Sequence, residues 1–97
     1  MAREASEDAS VVSIRGIDFI RSAAKELRKI PHRDRERILD RIEAFADNPD
    51  LPHHDVKVLA TSKARRLRVS DYRVLMTPSP GGRFTVERVA HRREVYR

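Results

Sequence analysis

Residues 65–76 read RRLRVSDYRVLM, and this stretch constrains the fold more than any other. Apolar and basic side chains alternate there at a period of two, the spacing of a strand with one face buried and the other open. Leu67 and Val69 share one face; Arg66, Arg68 and Ser70 share the other. A tight turn near Asp71 then leads into a second strand, opened by Tyr72 and carrying Arg73, Val74, Leu75 and Met76. Charged residues on a half-buried strand commonly do no more than face water. A surface built only for solubility mixes both signs, whereas this one repeats arginine without a compensating acid.

The charge distribution along the chain sharpens that point. The net charge of +6 comes from 21 basic and 15 acidic residues. Residues 1–56 hold 10 Lys/Arg against 12 Asp/Glu, a balance of −2, and residues 57–97 hold 11 against 3, a balance of +8. A positive field confined to one half of a small domain points to nucleic acid, or to an acidic protein competing for the same face. Ninety-seven residues make one domain with a single modest core. Charged residues are 37% and tryptophan is absent, so that core must be aliphatic and closely packed, and a partner is expected to add stability. The absence of cysteine excludes a disulfide scaffold, a thiolate metal site and a cysteine nucleophile together. No apolar run is long enough for a membrane span, and MAREASEDAS lacks the apolar centre of a signal peptide, so a soluble, cytoplasmic protein is expected.

Taken in order, the chain opens on a polar, acidic, aperiodic segment. A disordered tail is expected over residues 1–13, with the folded domain over 14–97. Val11 to Phe19 reads as a first strand of ill-defined start, with Gly16 as a bulge or break. From Arg21 the spacing turns helical through Ala23 or Ala24, Leu27 and Ile30, and Pro31 ends that helix. A second helix follows, with Ile38, Leu39, Ile42, Phe45 and Ala46 along one side. Its other side mixes Arg33, Asp34, Arg35, Glu36, Arg37, Asp40, Arg41 and Glu43, which reads as a solvated face with local ion pairs. Asn48-Pro49-Asp50 and Pro52 make a loop. His53, His54 and Asp55 in that loop lack the spacing of a zinc site and read as solvated, so no metal and no cofactor is expected. Val56 and Val58 mark a short strand with Lys57 on its opposite face. Pro78-Ser79-Pro80-Gly81-Gly82 is a hairpin turn between the strand opened by Tyr72 and a last one, Arg83 to Ala90. The expected fold is therefore α+β: an N-terminal strand, then a two-helix hairpin packed on a mostly antiparallel sheet of about four to five strands.

The helical hairpin ending in DNP, the lysine-bearing strand, the RLRVSDYRVLM run and the terminal VAHRREVYR together resemble the RelE-type toxins of bacterial toxin–antitoxin pairs, over roughly residues 14–97. The resemblance implies a small α+β endoribonuclease that cuts messenger RNA, often on the ribosome, and a cognate antitoxin that wraps and silences it. Carried over residue by residue, Arg66 and Arg68 match the basic positions beside the scissile phosphate, and Arg73 matches the next one. Arg92 matches the catalytic arginine of the closing strand, and Tyr96 the terminal aromatic that stacks on a base. Lys57, Arg65 and Arg93 are expected to add RNA contacts. The chain departs from the family in carrying Ser70 and Ala90 where glycine is frequent, and Met76 where tyrosine is. Arg66 and Arg68 also replace the lysines of some relatives, which removes a lysine base.

RNA hydrolysis without a metal uses the 2′-hydroxyl as nucleophile, and arginines stabilise the added negative charge because their fork of donors stays cationic. They are poor proton carriers for the same reason. His91 is the only histidine in the basic half, and it stands either as general base or as a residue ordering the end of the sheet. Tyr96 stands either as a base-stacking platform or as a cover for the sheet edge, and Tyr72 reads as core. Beside the endoribonuclease, two other functions stay open. One is a ParE-type toxin of the same fold that poisons DNA gyrase without this basic set. The other is a non-catalytic nucleic-acid-binding module.

Overall fold

The computed structural model describes residues 10–52, 54–60 and 63–95, the last two by their backbone alone. The N-terminal segment is not one strand but a hairpin, β1 (Val11–Ile14) paired antiparallel with β2 (Ile17–Ile20). Arg15 and Gly16 form its two-residue turn, both at positive φ (53° and 78°), the geometry that matches the twist of paired strands. Residues 11–13, assigned above to the tail, therefore pair within the sheet.

A left-handed conformation is costly for arginine, and long-range ion pairs hold it there. The Arg15 guanidinium bonds Glu43 (2.9 and 2.8 Å), Asp40 (2.8 Å) and Glu36 (3.2 Å) on the second helix. The hydrogen bonds to Glu43 and then Asp40 raise its pKa further above the ordinary arginine value. The mixed-charge face of that helix is thus tied to the hairpin rather than paired only along its own surface.

Helix α1 (Arg21–Arg28) leaves β2 directly and buries Ala23, Ala24 and Leu27. Pro31 separates it from α2 (His32–Asp47), which buries Ile38, Leu39, Ile42 and Phe45, as the periodicity predicts; Ala46 is exposed. The loop after α2 differs from the expected solvated histidines at one position. His54 is buried against Phe45, ring centroids 5.4 Å apart, and its Nε2 lies 2.8 Å from the Asn48 carbonyl at the C-terminus of α2. His53 lies outside the described residues.

Four more strands follow: β3 (Val56–Val58), β4 (Arg65–Val69), β5 (Tyr72–Ser79) and β6 (Arg83–His91), and the chain continues in a short helical turn, α3 (Arg92–Val95). The sheet has six strands in the order β1-β2-β6-β5-β4-β3, one more than the upper expectation because the first strand divides. Among the described residues only the β2–β6 pair is parallel. The turn between β4 and β5 places Ser70 at a φ of 57°, which accounts for glycine being frequent there in the family resembled. Pro78 sits within β5, so that strand runs further than the prolines suggest. A bulge at Glu87 shifts the register between Leu75↔Arg88 and Met76↔Val86, and this lets Phe84, Val86 and Val89 all turn to one side.

That side is the core. Phe19, Leu67, Val69, Val74, Met76, Val86 and Val89 pack from the sheet against Leu27, Ile38, Leu39, Ile42 and Phe45 of the helices, with Tyr72 half-buried at the margin. Both helices cover the same face, so the opposite face of β3 to β6 is left to the residues that alternate with this core.

Candidate nucleic-acid interface

Strand register decides which side chains share the open face. Lys57 lies opposite Arg66, Arg66 opposite Leu75, and Leu75 opposite Arg88. In the neighbouring row Arg68 lies opposite Arg73, and Arg73 opposite Ala90. Arg68 and Arg73 are like charges directly across a strand pair, and the Asp55 carboxylate offsets the Arg68 side of that pair.

Lys57, Arg66, Arg68 and Arg73 line one depression of about 260 Å³, and Asp55 completes its wall. Arg73 is only 7% exposed, and its Nη1 donates to the Tyr72 carbonyl at 3.1 Å. This side chain is therefore held in place by the sheet, whereas Arg68 stands more than half exposed at the rim. Asp55, read from the sequence as part of a solvated loop, lines this depression as well. Its carboxylate Oδ2 accepts from Arg68 Nε at 2.6 Å, and its carbonyl accepts the Arg68 backbone N–H at 2.8 Å. The signal was available in its spacing, since Asp55 precedes Lys57 by two and so shares its face.

Asp55 competes with any bound phosphate for the Arg68 guanidinium. Asp55→Asn is expected to tighten binding of a non-cleavable single-stranded oligonucleotide several-fold and to steepen its salt dependence, because one internal counter-charge is gone. Titration at several salt concentrations checks this, and an unchanged slope would show that Arg68 does not engage the ligand.

The structure places Arg65 and Arg92 differently from expectation, and gives His91 a hydrogen bond at the end of the sheet, in line with the second of its two readings. Arg65 alternates with Arg66 and faces the helix side: its guanidinium lies 5.6 Å from the Phe84 ring centroid and bonds the Lys63 carbonyl. His91 pairs in register with Tyr72 and also turns to the helix side, where the two rings meet edge to face at 5.4 Å. Its Nδ1 accepts the Arg93 backbone N–H at 3.2 Å, and it lines a separate depression with Glu26, Lys29, Ile30 and Tyr72. Arg92 stands not on the closing strand but in the first position of α3, because β6 ends at His91. The Arg92 N–H donates to the Asp71 carbonyl at 2.6 Å, which ties α3 to the β4–β5 turn. Arg92 and Arg93 are exposed, and neither is among the described residues lining the basic depression. Tyr96 lies outside the described residues.

Comparison with known proteins agrees with this architecture. The crystal structure of a RelB–RelE antitoxin–toxin complex from Methanococcus jannaschii is similar at 28% identity and a TM-score of 0.65, covering 80% of this chain and 93% of that one. The isolated RelE toxin of E. coli is similar at 25% identity and a TM-score of 0.59, covering 82% of this chain and 88% of that one. Among curated protein sequences none matches. Residues 17–96 match the family described as the ParE toxin of type II toxin-antitoxin system, parDE. With the α+β fold, its two helices on one sheet face and RelE toxins as structural neighbours, this match shows that the chain belongs to the ParE toxin family, within the RelE/ParE superfamily, and is a toxin of a toxin–antitoxin system of that type.

Proposed function

We propose that this toxin is a metal-independent endoribonuclease that cleaves messenger RNA, with the ribosome presenting the substrate in the cytoplasm and a cognate antitoxin masking the basic face. The observation that supports this reading is the grouping of Lys57, Arg66, Arg68 and Arg73 around one depression on the sheet face opposite α1 and α2. A scissile phosphate seated there meets donors on several sides. The 2′-oxygen forms a bond to phosphorus and the bond to the 5′-oxygen breaks, leaving a 2′,3′-cyclic phosphate and a 5′-hydroxyl. Negative charge builds on the non-bridging oxygens, and Arg66 and Arg73 offer fixed forks to it. Arg68 joins once the phosphate displaces Asp55. Proton transfer from the 2′-hydroxyl and to the leaving oxygen is assigned to the bound assembly rather than to the arginines, which stay protonated.

DNA gyrase inhibition is the second reading, favoured by the family match. Induction in growing bacteria with mapping of messenger RNA ends separates the two. New internal 5′-hydroxyl ends support cleavage; blocked replication with intact messages supports gyrase inhibition, and neither effect would leave a binding module.

The placement of His91 yields a further expected result. His91→Gln should change the single-turnover rate on programmed ribosomes by less than about threefold. A steep loss that persists at saturating substrate would instead make His91 the proton carrier, despite its position on the helix side.

A further inference from the structure

Next to the basic depression lies a second one, of about 160 Å³, lined by Leu59, Arg66, Arg73, Leu75, Arg88 and Ala90. The two share Arg66 and Arg73. Within the basic face this is the apolar spot: Leu75 stands between Arg66 and Arg88 in one cross-strand row, and Ala90 follows Arg73 in the next. Solubility does not call for a half-buried leucine between two arginines, and Leu75 lies outside the core that the helices cover. Ala90 is only 3% exposed and keeps the floor low, where a longer side chain would fill the hollow.

The rim is also pre-set. Arg88 bonds Glu26 of α1 through Nε at 3.3 Å and Nη2 at 3.2 Å, and the same carboxylate accepts the Val89 N–H at 2.8 Å. Glu26 answers the Arg88 charge, and Arg88 also lines the helix-side depression with His91, so at the hollow it is one wall and not a free cation.

We infer that this hollow is a nucleobase subsite, taking one unstacked base of single-stranded RNA whose neighbouring phosphate sits among Lys57, Arg66, Arg68 and Arg73. The inference rests on the RNA reading above and deepens it. A ligand here must supply an anion and a flat apolar group side by side, because Arg66 and Arg73 serve both hollows. A nucleotide does so within one residue, and bases stack on guanidinium planes and apolar side chains.

Three non-cleavable probes test this: a 2′-O-methyl single-stranded RNA, a same-length oligonucleotide with abasic positions, and inorganic polyphosphate. Leu75→Ser, on a half-exposed side chain, and Ala90→Leu, which fills the hollow, are each expected to weaken binding of the base-bearing RNA roughly tenfold, the effect of losing one stacked base. Binding of the abasic oligonucleotide and polyphosphate should hold within about twofold. Equal loss on all three probes, no loss on any, or a loss confined to antitoxin binding would overturn the subsite. Thermal melting of both variants guards against misfolding, and Leu75→Ser carries the test if Ala90→Leu does not fold. The ribonuclease reading fails separately: base-dependent binding without new 5′-hydroxyl ends would leave the subsite standing and remove the cleavage.

Discussion

Replacing Arg66 by alanine is expected to slow RNA cleavage roughly a hundredfold while leaving the fold intact. Arg66 lines both hollows on the open face and lies between Lys57 and Leu75 across the strands, so its loss removes a donor from the centre of the basic surface. One preorganised donor to a transition-state anion contributes on the order of 3 kcal/mol. The core beneath is untouched, since Leu67 and Val69 face the other way. Arg66→Lys should recover only part of the rate, because an ammonium offers a point charge where the guanidinium offers a fork. Single-turnover cleavage paired with thermal melting checks the prediction. Full toxicity of a well-expressed Arg66→Ala, Arg92→Ala double variant would end the assignment of this face to cleavage.

Phe45→Ala is expected to destabilise the free toxin by about 3–5 kcal/mol, a large part of the roughly 5–15 kcal/mol that holds a small domain together. Phe45 is 1% exposed and closes the end of α2 against two rings, Phe84 at 5.1 Å and His54 at 5.4 Å between centroids. The two rings are themselves held by the sheet and by the loop after α2, so they are expected to refill the space only in part. Thermal unfolding should shift down by more than about 12 °C. A partner that binds only the folded state should restore part of the loss in proportion to its concentration. A shift below about 4 °C would show that the loop around His54 collapses into the cavity.

How much of this was legible in the sequence follows from which interactions are local. Period two in RRLRVSDYRVLM separates Leu67, Val69, Val74 and Met76 from Arg66, Arg68 and Arg73, and the structure keeps that separation. The spacing of Ala23, Leu27, Ile38, Ile42 and Phe45 likewise defines two helices, with Pro31 between them. These features are read within a few residues along the chain, so neighbouring side chains are enough to specify them.

Alternation states which residues share a face, not where a strand stops or what lies beside it, and there the tertiary structure decided. Gly16 reads as a bulge or break until Arg15 is seen held in a left-handed turn by acids on α2, 21 to 28 residues away. Arg92 reads as a residue of the closing strand until β6 ends at His91 and α3 begins. Arg65 belongs by composition to the basic stretch, yet its parity sends it toward Phe84. Asp55 lies 13 residues from Arg68 in sequence, and only the β3–β4 register brings its carboxylate onto that guanidinium. From its local periodicities the sequence determined a basic strand face and an aliphatic core. Register, the parallel β2–β6 pair and the helix placement decided which cations converge and which turn away, because those depend on packing between segments far apart in the chain.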